Sequence, residues 1–222
     1  MKKLLAFLVA ASVLLAGCGG PEDPTTDLND IDETLPYYIH LIGDPEYHGW
    51  FDNLKEQRAN ATQSSGDIFI FHKVDSAFDS KELVADLVNK RSDGYVNFIF
   101  VGLGPNNYEG GTQEQAEQSF NKNKQFVNEL IDLTLYNDVV LLVSNGYPKP
   151  ADQTDEYLLW NHEQMLLFFK EQMEATYRVY MFSIKRPLGD DAGALIDMTD
   201  EEKYGSLTND FITYLTLIKK RI

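Results

Sequence analysis

Chemistry in this chain could be done where a polar residue directly follows an apolar run. Five such ends are present: Gly43-Asp44, Asp75-Ser76, Asn106-Asn107, Ser144-Asn145 and Lys185-Arg186. Asp44, Glu46, His48 and Asp75 together would supply carboxylates and an imidazole, the equipment of acid–base catalysis or of a metal site. Their spacing matches no standard ligand motif, so no metal is expected and no cofactor is called for. Ser76 and Ser144 place hydroxyls at strand ends, but a serine nucleophile needs a base beside it. The four histidines are His40, His48, His72 and His162, and sequence places none beside either serine. His162 falls at helical spacing with Leu158, Met165, Leu166 and Phe169, which reads as a packing residue. Asp and Asn at such ends also cap the next helix or shape its turn, the ordinary reading of any one of them alone.

The elements that must position these residues alternate regularly. Apolar runs at 37–42, 67–74, 96–103, 138–143 and 178–184 read as strands. Helical patterns fall between them, around Trp50, Phe51 and Leu54, and through Leu83, Val84, Leu87 and Val88 behind a capping Asp79. A further helix carries Phe120, Val127, Ile131 and Thr134 behind Thr112 and Gln115, another spans about 155–174, and a last one covers 207–222. Continuous apolar strands separated by helices imply a parallel sheet covered on both faces. The expected fold is α/β, a three-layer doubly wound sandwich on a five-stranded parallel sheet. With strand order 2-1-3-4-5 the winding reverses between strands one and three, where open sheets bind ligands and where Asp44 would meet Asn106. Asp44, Asp75, Ser76, Asn106 and Asn107 are therefore the candidate cleft. Tyr37, Tyr38, Tyr47, Trp50, Tyr108 and Tyr147 flank it; exposed aromatics there would stack on sugar rings, and core packing is their commoner use.

A first strand ending Gly43-Asp44 and a third ending Gly104-Pro105-Asn106-Asn107 resemble the SGNH (GDSL-type) hydrolases, a flavodoxin-like superfamily of esterases and acetylhydrolases. The order of elements agrees over roughly residues 37–222. The resemblance implies that Asn106 inherits an oxyanion-donor position. It also marks what is missing. The family's nucleophile follows Gly-Asp, and that position here is Pro45, which has neither hydroxyl nor N–H. The second block's glycine has no counterpart in Val74-Asp75-Ser76-Ala77. The C-terminal Asp-x-x-His is matched only by Asp200-Glu201-Glu202-Lys203, with lysine in place of the base, and no histidine lies in the last 60 residues. Ester hydrolysis by the family's usual machinery is not expected.

At the other end, Met1-Lys2-Lys3, an apolar run from Leu4 to Leu15 and then Ala16-Gly17-Cys18 have the layout of a secretory signal. The run is shorter than the roughly 20 residues that span a bilayer. The cysteine after small residues, the only one in the chain, resembles the lipobox of bacterial lipoproteins. That resemblance implies cleavage after residue 17 and lipid on Cys18. Residues 18–36 then form an acidic tether rich in Gly, Pro, Asp and Glu, unable to bury enough surface to order itself, and residues 37–222 the α/β domain. Gly19, where an aspartate would retain the protein at the inner membrane, points to the outer membrane in a Gram-negative organism. Otherwise the outer face of the cell membrane is expected. The formal net charge is −16, with 35 acidic against 19 basic residues, and loss of Lys2 and Lys3 with the signal makes it more negative. Such a surface repels nucleic acid.

The expected function is that of a cell-envelope lipoprotein, held at a membrane by its N-terminal lipid, whose degenerate cleft binds a glycan, a lipid or a protein without turning it over. Two alternatives stand beside it. One is a hydrolase with chemistry relocated to Asp44, His48 or Asp75. The other is an interaction or assembly module whose acidic surface meets a basic partner.

Overall fold

Runs of β-branched and aromatic residues pack well on a pleated surface, and the longest of them, Val96–Leu103, forms the central strand. The computed structural model describes residues 35–61, 66–104, 107–145, 156–176, 178–183, 201–220 and 222. Its strands are β1 (Tyr37–Gly43), β2 (Ile68–Lys73), β3 (Val96–Leu103), β4 (Val139–Asn145) and β5 (Val179–Ser183). All pair in parallel in the order β2-β1-β3-β4-β5. The α/β fold is thus the doubly wound, flavodoxin-like one that the alternation predicts, with the reversal between β1 and β3.

The helices are α1 (His48–Ala61), α2 (Lys81–Val88), α3 (Gln113–Thr134), α4 (Glu156–Ala175) and α5 (Tyr204–Lys219). Helices α1 and α5 pack together, and α3 packs against both α2 and α4, which gives two helical layers around the sheet. The two layers have different cores. Under α1 and α5 it is aromatic: the Phe211 ring meets Trp50 and Phe182 edge-on at 5.3 Å and Phe100 at 5.5 Å. Under α2, α3 and α4 it is mainly aliphatic, with Ile42, Val84, Val101, Val127, Leu130, Leu141 and Met165 all buried. Each such side chain withdrawn from water contributes about 1.5–3 kcal/mol.

Most element limits agree with the sequence within two or three residues. Thr112 caps α3, its hydroxyl accepting from the Gln115 N–H at 3.2 Å. The second helix begins differently. Asp79 does not cap it; it lies inside a 3-10 turn, Ala77–Ser80, that leads into α2. A similar turn, Glu201–Lys203, leads into α5, which starts at Tyr204, earlier than expected. Cys18 with the signal and most of the tether, Asn106, Tyr147, Lys185-Arg186 and Asp200 lie outside the described residues. No helix among the described residues is long and apolar enough to cross a membrane.

Candidate functional site

The carboxyl ends of β1 and β3 are adjacent because β1 and β3 pair through Gly43 and Gly102. Both glycines are required by one side chain, Tyr47. A Cβ on Gly43 would lie 2.7 Å from the Tyr47 Cβ, and one on Gly102 would lie 2.9 Å from its ring. Tyr47 closes the 3-10 turn Pro45–Tyr47 that follows Asp44. It is fully buried, with its hydroxyl 3.1 Å from the Leu103 carbonyl and 3.0 Å from the Ser144 hydroxyl. Burial pushes that phenol far above its ordinary pKa, so it stays protonated. Ser144, itself fully buried, is spent on this contact and is not an accessible nucleophile.

Asp44 is 4 % exposed, and its carboxylate gathers three strand ends. One oxygen accepts from the Ala77 N–H beyond β2; the other accepts from the Gly104 N–H beyond β3 at 3.0 Å and from the Asn107 amide. The turn into α2 is therefore capped by a side chain from a neighbouring strand, which explains why no local residue does it. Burial raises the Asp44 pKa. The bonds from Gly104, Asn107 and Ala77 oppose that rise, and the charge of Glu46 adds to it. Gly104 is confined by two carboxylates, since a Cβ there would lie 2.7 Å from Glu46 Oε2 and 3.2 Å from Asp44 Oδ2.

Above this bracket opens a cavity of about 360 Å³, within the size range of small-molecule sites. Asp44, Pro45, Glu46, Asp75, Ser76, Phe78, Asn107, Glu109, Ser119 and Lys122 line it. Four of the five cleft residues expected from sequence thus meet in one cavity, and the fifth, Asn106, lies outside the described residues. The 201–203 turn does not line it. Asp75 is exposed and Asp44 buried, although both follow strands.

None of the histidines lines this cavity. His48 turns back to donate from Nε2 to the Gly43 carbonyl at 3.1 Å. His40 and His72 sit side by side on β1 and β2, 3.0 Å apart through Nδ1 and Nε2. His162 is buried and stacks on Tyr108 with ring centroids 4.0 Å apart. Of the flanking aromatics, Tyr37, Tyr47, Trp50 and Tyr108 are core residues. Among the described residues no cluster of three or more His, Cys, Asp or Glu is arranged to hold a metal ion.

Sequence reading missed Phe78, Glu109, Ser119 and Lys122. Ser119 had a signal: with Asn123 it sits on the buried stripe of α3 that includes Ala116, Val127 and Leu130. Both residues fix the loop after β3, since Ser119 Oγ and Asn123 Nδ2 donate to the Asn107 carbonyl at 3.2 and 3.0 Å. Ser119 Oγ also accepts from the Glu109 N–H at 3.0 Å. A polar residue in an apolar helical stripe signals a buried hydrogen-bonding duty.

No family model matches the sequence, and no curated protein does. Solved structures do match. A GDSL-like lipase from Bacteroides thetaiotaomicron aligns over 81% of this chain and 87% of its own, with a TM-score of 0.52 at 9% identity. A putative acylhydrolase from Bacteroides fragilis aligns over 88% of this chain and 100% of its own, with a TM-score of 0.48 at 9% identity. The first likeness establishes an SGNH-like fold; at that identity it says nothing about activity, which depends on the residues of the site.

Proposed function

We propose that this protein is a membrane-anchored cell-envelope lipoprotein whose SGNH-like domain binds a glycan in the cavity above Asp44 without hydrolysing it. The observation that carries the proposal is the cavity lining. Eight of its ten residues are polar or charged, and only Pro45 and Phe78 are apolar. Such a wall suits the hydroxyls of a sugar, which donate to Asp75, Glu46 or Glu109 and accept from Lys122. It suits an acyl chain poorly, because the hydrated carboxylates of Glu46, Asp75 and Glu109 would be covered and lose water with nothing in exchange.

The absence of turnover is supported by where the candidate groups go. Pro45 stands where the fold's nucleophile belongs, the Asp44 carboxylate is committed to three donors, and no imidazole reaches the two serines of the cavity. A hydroxyl without a base is a poor nucleophile at neutral pH. A hydrolase relocated to Asp44, His48 or Asp75 loses support too, since Asp44 is held by its donors and His48 is turned to the Gly43 carbonyl. That leaves Asp75 without an imidazole in the cavity.

The binding reading is tested by titrating the protein with soluble cell-envelope oligosaccharides and following amide shifts. Shifts centred on Asp75, Ser76 and Glu109, lost in Asp75→Ala, are expected. Saturable binding with shifts only on remote surfaces would overturn the assignment. Anchorage is tested separately with a fatty-acid analogue: label is expected on the wild type and absent from Cys18→Ser.

A further inference from the structure

Strand β2 ends the sheet and has no strand on its outer side among the described residues. Its sequence, Ile68-Phe69-Ile70-Phe71-His72-Lys73, is apolar over its first four positions and contains neither proline nor glycine. Charge, proline and bulges are the usual means of keeping such an edge from pairing with another chain, and only Lys73, at the far end, supplies one. Ile68 is 37% exposed, and the four residues after it are half-buried, unlike the fully buried run in β1.

The free hydrogen-bonding groups of this edge can be assigned. The Val74 N–H donates to the Gly43 carbonyl, which is on β1. Alternation along a strand then directs the backbone of Ile68, Ile70 and His72 towards β1, and that of Phe69, Phe71 and Lys73 outward. Side chains alternate too: Phe69 lies under Arg58 and Phe71 against Phe51, both on α1.

We propose that β2 pairs antiparallel with β2 of a second copy of this chain, about a two-fold axis normal to the sheet through Ile70, giving a continuous ten-stranded sheet. This register places Phe69 opposite Phe71 of the second copy, so that outward backbone groups exchange hydrogen bonds twice about the axis. Aromatic cross-strand pairs are favourable. It also sets Asp67 opposite Lys73 at each end. Lys73 already pairs with Asp52 at 2.7 Å and Asp67 with Arg58, so each end becomes a row of charges alternating in sign. Moving the axis to Phe69 or Phe71 loses the Asp67–Lys73 match and leaves one aromatic pair in place of two. The self-complementary register identifies the occupant as a second copy, the isologous arrangement of most homodimers.

The test uses the full chain carrying Cys18→Ser in detergent, with circular dichroism confirming the fold of each variant. Light scattering is expected to give a dimer, and Lys73→Glu to weaken its association at least tenfold. In the same background Ile70→Cys should form a disulfide-linked dimer on mild oxidation, because non-hydrogen-bonded opposite residues lie within disulfide reach. Tyr136→Cys, exposed elsewhere on the molecule, should not. A monomer at every concentration overturns the proposal, as does a dimer that cross-links through position 136 as fast as through 70. Should Ile70→Cys misfold, the wild-type mass and the Lys73→Glu shift decide.

Discussion

Asp44 and Asp75 stand at equivalent places, just beyond β1 and β2, and they do opposite things. Asp44 is buried and saturated by donors from two neighbouring strand ends, so it holds the floor of the cavity together. Asp75 is exposed and lines the wall. Here the end of β1 is given over to structure, and the open polar groups of the cavity belong to the second strand end, to Glu109 in the loop after β3 and to Lys122 on α3. The difference teaches that carboxylates at equivalent strand ends can be divided between holding the framework and lining the cavity.

The contrast is broken most sharply by Asp44→Ala. It strands the Ala77 and Gly104 N–H groups and the Asn107 amide, and should destabilise the fold by about 3 kcal/mol, read by denaturant unfolding. A loss no larger than that of an exposed aspartate would show that the bracket is unimportant.

The His40–His72 pair extends the contrast to a buried group that titrates. Burial, then the neighbouring His72 and Lys90, lower His40 to about 4, and burial and Lys90 also lower His72. The unfolded chain therefore binds protons that the folded one refuses between about pH 6.5 and 4. Stability is full above that window and falls as pH drops through it, by about 2 kcal/mol after allowance for solvent screening. His40→Gln should flatten the stability curve between those pH values; an unchanged slope would remove the pair as its cause.

Asp75→Ala is the smallest change to the fold. It should alter stability by less than about 0.5 kcal/mol, as surface substitutions do, while weakening oligosaccharide binding. A large stability loss would make Asp75 a second Asp44.

Much of this was legible in the residues. The apolar runs gave five parallel strands because buried strands must be apolar on both faces, and Thr112 with Gln115 marked the start of α3. Asp44, Asp75, Ser76 and Asn107 were placed in the cleft by strand-end position alone. What periodicity did not reveal was division of labour. Asp44 bonds to partners 33, 60 and 63 residues away, and no local pattern encodes such contacts. Gly43 read as a motif residue, whereas the structure ties it, together with Gly102, to the side chain of Tyr47. Asp79 read as a cap because capping was sought within the helix's own segment, and the acceptor came from β1.

The central claim is a cavity that binds without turnover, and hydrolysis of p-nitrophenyl acetate measures it most directly. Wild-type protein should hydrolyse the ester no faster than a Ser76→Ala/Ser119→Ala double variant, and Pro45→Ser should gain nothing, since no imidazole lines the cavity. A wild-type rate well above background that disappears in the double variant would contradict the account.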